Sequence, residues 1–256
     1  MLSEVSTASE FMSKKLVTAY AHSNVSKAVK LMVDYNIGSV IVTDNEGPIG
    51  IFTERDLLKN VLAAGKQLEQ PILMEVMTPS FNSISPNTTL IDAAKIMTEK
   101  KGRLVVFNGT IQGIITATDI VRQIQKLGRK FDISESYSKG VYQVPPRSRV
   151  DDVVKLMAEK RIGSVIVSEG RFSRGIFTER DLLRSVLSPD FMMDERVESF
   201  ATHHLVTAME GISGLEAAEV MTSQKIKRLP LVRDESLVSG VVTARDLVEA
   251  FANSAW

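Results

Sequence analysis

GIFTERDLL occurs twice, at residues 50–58 and again at 175–183. Upstream of each copy stands IGSVIV, at 37–42 and 162–167, so the second half of the chain repeats the first. Each half is itself double. GIITATDIV at 113–121 and GVVTARDLV at 240–248 share the frame Gly-apolar-apolar-Thr-x-x-Asp-apolar-apolar. The four frame glycines are Gly50, Gly113, Gly175 and Gly240, in steps of 63, 62 and 65 residues. Two further anchor sets keep the same phase. Met32, Met97, Met157 and Met221 sit near the ends of helical patterns, and about twenty residues before them lie Met12-Ser13, Met77-Thr78, Tyr137-Ser138 and Ala201-Thr202. The repeats are therefore placed at 9–63, 74–128, 134–188 and 198–253. The stretches 64–73 (AGKQLEQPIL) and 189–197 (PDFMMDERV) join the members of each pair. The polar stretch 126–133 (KLGRKFDI) marks the boundary between pairs.

The first repeat reads β-α-β-β-α. Leu16 to Tyr20 suits a short strand, and Ser23-Asn24 offers a helix start. Ala28, Val29, Met32, Val33 and Ile37 recur at helical spacing and predict one buried stripe, with Gly38 as the terminating glycine. Val40 to Thr43 is a β-branched strand. Asp44 through Pro48 is a turn, Gly50 to Phe52 a second strand, and Thr53 opens a helix to about Leu62. In the other repeats the first helices are expected at Asp92–Lys101, Asp151–Arg161 and Leu215–Lys225. The strands after them are expected at Arg103–Phe107, Ser164–Val167 and Leu229–Val232. The fold class is thus mixed α/β (α+β). One unit of about 60 residues buries too little surface to stand alone, so pairing is expected. Gly214 replaces the apolar Val25, Leu90 and Val150 of the other repeats, which predicts a looser first helix in the fourth.

In these features the chain resembles the CBS-domain family, over all four repeats. The carrying motifs are MEVMTP at 74–79, the strand RLPLV at 228–232 and the four Gly-x-x-Thr-x-x-Asp closings. The resemblance implies two pseudo-twofold Bateman modules, 1–128 and 129–256, which in this family commonly meet as a flat disc. It implies regulatory binding of an adenosine-containing ligand (AMP, ADP, ATP or S-adenosylmethionine) in clefts between paired repeats, and signalling to a protein target. By position, Asp56, Asp119, Asp181 and Asp246 would hold the ribose hydroxyls, and Thr53, Thr116, Thr178 and Thr243 would face ribose or phosphate. The opening strand would place Thr18, Ser83, Gln143 and Thr207 near the base. The first and third repeats lack the strand proline of the family pattern, and the second has a shorter turn before Gly113, so the four sites are not expected to be equivalent.

The chemistry of these residues agrees. A carboxylate accepts two hydrogen bonds from a vicinal diol, and a helix N-terminus suits phosphate. Arg55, Arg180 and Arg245 can pair with phosphate oxygens, whereas the second repeat carries Thr118 there and should hold polyphosphate less well. The plainer alternative is that Thr-x-x-Asp is only a helix-capping box. The box prefers Glu or Gln, and all four copies use Asp.

Composition narrows the rest. Of 256 residues 44% are hydrophobic, and Lys+Arg equals Asp+Glu at 31 each, which argues against a general nucleic-acid binder while leaving a local basic patch open. There is no cysteine, hence no disulfide, thiolate nucleophile or cysteine–zinc site. His22 is alone, and the adjacent His203 and His204 do not converge, so no metal site is expected. No P-loop, supported Ser/His/Asp arrangement or bilayer-length apolar run is visible, and no secretory signal is expected from the opening Met-Leu-Ser-Glu-Val-Ser-Thr. The methionines at helical spacing read as core or pairing surface. Trp256 at the chain end is expected to pack on a neighbour or to fray. The expectation is a cytoplasmic, non-enzymatic nucleotide sensor, with homodimerisation open. A protein-interaction scaffold with vestigial sites is the alternative, and a nucleic-acid binder the weaker third.

Overall fold

The computed structural model describes residues 6–170, 172–233 and 237–254; Trp256 lies outside them. The chain divides into two compact units that interleave along the sequence. One holds Val17–Ser80 and Tyr142–Leu205, the bodies of the first and third repeats. The other holds Met1–Leu16, Phe81–Val141 and Val206–Trp256, with the bodies of the second and fourth. Each unit thus takes one repeat body from each half of the chain.

In the first-and-third unit, strand Thr18–Tyr20 runs parallel to Ser39–Thr43, which pairs antiparallel with Pro48–Thr53. The fourth strand, Thr78–Pro79, is the opening of the next repeat, in register Gly50↔Pro79 and Ile51↔Thr78. The third repeat copies this order with Gln143–Val144, Ser164–Glu169, Phe172–Thr178 and Thr202–His203. The helices Val25–Asp34 and Val150–Glu159 bury their valines, alanines and Met32 or Met157, as the 3.6-residue spacing requires.

The leucines after each Thr-x-x-Asp divide their work. Leu57 and Leu182 enter the core of their own repeat. Leu183 packs in the core of the first repeat, and Leu58 in that of the third. Through this exchange each of the two repeats completes the other's core. Each core takes a fully desolvated leucine from the other, a contribution of about 1.5–3 kcal/mol apiece. The verbatim copies then diverge. Glu179–Ser185 is α-helical, whereas in the first repeat a turn at Glu54–Asp56 widens into a π-helix, Leu57–Leu62. There Asn60 donates to the Val76 carbonyl at 2.8 Å. In the third repeat Ser185 bonds back to the Asp181 carbonyl at 2.8 Å.

In the second-and-fourth unit each sheet has three strands: Asn82–Ile84, Leu104–Asn108 and Thr110–Ile115, then Ala208–Met209, Arg228–Val232 and Val238–Thr243. Single bridges add the openings of the preceding repeats, Ser13 to Ile114 and Ser138 to Val241. One continuous core runs through the helices Leu90–Lys100, Ala117–Leu127, Gly214–Ser223 and Ala244–Asn253.

The frame glycines mark where opening and closing segments meet. A Cβ at Gly50 would stand 2.6 Å from the Thr78 carbonyl oxygen, and one at Gly175 2.6 Å from that of Thr202. At Gly113 and Gly240 it would meet Met12 and the ring of Tyr137. Two anchor sets separate in sequence thus coincide in space: each repeat's glycine makes room for the opening of its sequence neighbour.

Two expectations are corrected. Gly38 does not terminate the first helix. The helix ends at Asp34, and the left-handed residue after it is Asn36 (φ 52°), matched by Lys101, Arg161 and Lys225. Gly214 does not loosen its helix either. Ser213 and Glu216 form a capping box there, with Glu216 pulled down to about 2 by the hydroxyl and N–H of Ser213 and by Lys130. The glycine is needed for space, since a Cβ would fall 2.2 Å from the Phe131 ring, itself edge-on to Phe251. The boundary stretch 126–133 is accordingly tied down, with Ile133 fully buried and the Phe131 carbonyl accepting from Gly214 N–H.

Candidate functional site

All four Thr-x-x-Asp turns stand at the junction of a closing strand and a helix. The Thr leaves the sheet in extended conformation, and the Asp closes the first helical turn. In the first repeat Asp56 Oδ2 accepts from Thr53 N–H at 2.9 Å and from Thr53 Oγ1 at 2.7 Å. Asp181 does the same with Thr178 at 2.9 and 2.6 Å, and Asp119 with Thr116 at 2.8 and 2.7 Å. Asp246 accepts from Thr243 N–H at 2.7 Å. Every copy therefore meets the capping-box geometry. Capping alone does not call for burial, yet Asp56, Asp119 and Asp181 are buried side chains.

The other carboxylate oxygen separates the sites. Thr78, from the opening of the second repeat, donates to Asp56 Oδ1 at 3.0 Å; Thr202, from that of the fourth, donates to Asp181 Oδ1 at 2.9 Å. In the second repeat Arg122 replaces the hydroxyl and reaches Asp119 Oδ1 at 3.0 Å. A carboxylate offers roughly four acceptor directions, and the bonds named for Asp181 use three of them. Burial pushes the Asp246 carboxyl above its ordinary value, against the N–H and hydroxyl of Thr243, which pull it down. A carboxyl raised on folding loses stability as pH climbs from the ordinary carboxylate range through its folded value. Asp246→Asn is therefore expected to remove a fall in Tm across that acidic window, as read by thermal unfolding between pH 3 and 7. Parallel pH profiles for variant and wild type would refute the assignment.

The arginines sit in different settings. Arg55 Nε pairs with Glu179 Oε1 at 3.0 Å, and Arg180 Nε with Glu54 Oε1 at 2.7 Å, so the two TERD turns hold each other reciprocally. Both glutamates are buried. Arg245, exposed, reaches the Lys101 carbonyl at 3.4 Å, and Thr118 lies half-buried in the first turn of Ala117–Leu127. Glu54 and Glu179 escaped the sequence reading. Their signal was the Glu that stands in TERD where the second and fourth repeats have Ala117 and Ala244.

The opening-strand residues share one register. Thr18, Ser83 and Gln143 pair with Ile41, Val105 and Ile166, equivalent points of the next strand, and Thr207 immediately precedes Ala208–Met209. All four are exposed, and Gln143 accepts from Ser168 Oγ at 2.8 Å. Among the described residues no group of three or more His, Asp or Glu could hold a metal ion, and no helix is long and apolar enough to cross a membrane.

Comparison with known proteins bears on this arrangement. A family model described as the CBS domain matches residues 8–63, 73–126, 132–188 and 197–253. The uncharacterized protein MJ1225 of Methanocaldococcus jannaschii is 25% identical over 275 residues, covering 93% of this chain and 96% of that protein. Its crystal structure, described as that of a proposed archaeal homolog of g-AMPK, superposes with a TM-score of 0.84 at 21% identity, over 96% of this chain and 100% of that one. An uncharacterized conserved protein from Pyrococcus horikoshii gives 0.67 at 22%, with the same coverage. Inosine-5'-monophosphate dehydrogenase of Aquifex aeolicus is 38% identical over 108 residues, which are 41% of this chain and 21% of that enzyme.

Proposed function

Because the chain belongs to the CBS-domain family through four tandem repeats, we propose that it is a regulatory sensor of adenosine-containing ligands, with no catalytic activity of its own. The observation that carries this reading is the fourfold Thr-x-x-Asp turn, in which a carboxylate at a helix start is kept at least part-buried. The carboxylate suits the ribose diol, and the helix N-terminus beside it suits phosphate. The description of MJ1225 as a relative of g-AMPK supports a regulatory role. The functional modules in this proposal are 1–128 and 129–256. Support comes from the exchange of opening segments between sequence neighbours, Ser13 with Ile114, Thr78 with Ile51, Ser138 with Val241 and Thr202 with Ile176. Ligand binding would bias the packing of the repeats, and a cytoplasmic protein partner would read that bias as a coupling free energy.

The test is thermal unfolding of nucleotide-free protein with AMP, ADP, ATP, S-adenosylmethionine or NADH at about 1 mM. A ligand at 100 times its Kd adds about 2.7 kcal/mol and raises Tm by several degrees. Asp56→Ala with Asp181→Ala is expected to abolish the rise. Because these changes also remove two helix caps, the quantity compared is the ligand-induced shift and not Tm itself. A flat panel with folded, nucleotide-free protein would replace the sensor by a scaffold whose sites are vestigial.

A further inference from the structure

The two TERD turns are identical in sequence but not in setting. We infer that Asn36 and Arg161 make them different: Asn36 ties Arg180 into the protein, while Arg161 leaves Arg55 as the arginine that reads ligand phosphate. The inference rests on the nucleotide-sensor reading and assigns specificity within it. Asn36 and Arg161 are equivalent positions. Each directly precedes an IGSVIV strand, each is exposed, and each holds the left-handed conformation, at φ 52° and 55°.

At the first-repeat end Arg180 is engaged on several sides. Its Nε pairs with Glu54 at 2.7 Å, and its Nη1 donates to the Ile37 carbonyl at 3.1 Å, with the Asn36 amide oxygen at 3.5 Å. Arg184 reaches the same amide oxygen at 3.4 Å. The Arg180 side chain is only 18% exposed.

The repeat relation puts Arg55 and Lys59 at the third-repeat end, where Arg161 stands in place of Asn36. A guanidinium has donors only, so it cannot accept from Arg55, and it repels it. Arg55 is accordingly 48% exposed, with Glu179 the polar partner recorded for it among the described residues. At this end the half-exposed Arg55 pairs with Glu179, and Arg161 adds a further positive charge at the position equivalent to Asn36. At the other, Arg180 has Glu54, the Ile37 carbonyl and the Asn36 amide oxygen, and Arg184 reaches that same amide oxygen. An incoming phosphate therefore finds surplus positive charge on the Arg55 side and a satisfied, part-buried guanidinium on the Arg180 side.

The two settings can be exchanged in the full-length chain by Arg161→Asn and Asn36→Arg. Both changes lie on the surface, in a backbone conformation that each residue already adopts at the other position. Binding of ATP and of adenosine is measured by calorimetry, and Tm is recorded without ligand. Arg161→Asn should weaken ATP about tenfold, the loss of one charge-assisted contact, while adenosine binding holds. Asn36→Arg should leave the preference for ATP over adenosine in place and lower the ligand-free Tm, because Arg180 loses its seat. An unchanged preference in Arg161→Asn would overturn the inference, as would equal effects of the two variants on Tm and preference. Wild type that binds neither compound would overturn the sensor reading, and this inference with it. That result is recognisable because it shows in the wild type before any variant is made.

Discussion

Glu54→Ala is expected to destabilise the protein by about 3 kcal/mol, because removing one partner of a buried ion pair leaves the other desolvated and uncompensated. Glu54 pairs with Arg180 at 2.7 Å, and their side chains are 9% and 18% exposed. The Ile37 carbonyl and Asn36 would still face the guanidinium, which holds the figure at the low end of the range for such losses. The reciprocal pair is a built-in control. Glu179 is as buried as Glu54, but its partner Arg55 is half exposed, so Glu179→Ala leaves a guanidinium that water reaches and should cost only about 1 kcal/mol. Replacing Glu54 and Arg180 together by methionine should cost far less than either alanine change alone, because no charge is then stranded. Urea unfolding at fixed m-value would separate these cases. A loss below about 0.5 kcal/mol for Glu54→Ala would mean that the pair acts as an exposed one.

At Gly175 the obstacle is backbone rather than charge. A Cβ would lie 2.6 Å from the Thr202 carbonyl oxygen and 3.3 Å from its carbon. Neither atom can rotate away, because Thr202 is paired with Ile176 in the sheet and its hydroxyl holds Asp181. Gly175→Ala is expected to cost about 1–3 kcal/mol, and Gly175→Val more, by forcing the opening segment off the closing strand. Gly50→Ala should behave similarly against Thr78. Gly240→Ala should be milder, since the nearest atoms belong to the Tyr137 ring at 2.9 Å, with the Ser138 oxygen at 3.1 Å. Gly140, with nothing within 4 Å of a Cβ and no left-handed conformation, is the neutral control. Thermal unfolding of the four variants should rank them in that order. A Gly175→Ala protein as stable as Gly140→Ala would show that the opening segments are not held where the sheets place them.

Much of this was legible in the residues themselves. Of the expected stripe, Ala28, Val29 and Met32 are buried, whereas Val33 and Ile37 are half-buried and Ile37 lies beyond the helix end; Met97, Met157 and Met221 are buried. The strands begin and end within about two residues of their β-branched runs, Ser39–Thr43 against an expected Val40–Thr43 and Arg228–Val232 against Leu229–Val232. Local helix ends were less legible. Gly38 carried the strongest terminating signal, yet Asn36 took the left-handed position, since an asparagine tolerates that conformation almost as readily and came first. The Thr-x-x-Asp turns were found because the motif recurs four times. Their partners were not, because Thr78 lies 22 residues from Asp56, and Glu179 lies 124 from Arg55.

The number of repeats, the βαββα order within each and the four Thr-x-x-Asp helix starts are readable from the residues alone. All of these follow from periods of two and 3.6 residues and from turn chemistry, which act over a few neighbouring residues. Which repeat body packs with which, whose core receives Leu58 and Leu183, and what the frame glycines make room for emerge only in the folded chain. Folding also brings Arg180 against Asn36 and the Ile37 carbonyl. Those outcomes depend on groups far apart in sequence, from about 27 residues between Gly175 and Thr202 to more than a hundred between Arg180 and Asn36. They are set by the desolvation and close packing of the assembled chain, not by any local preference.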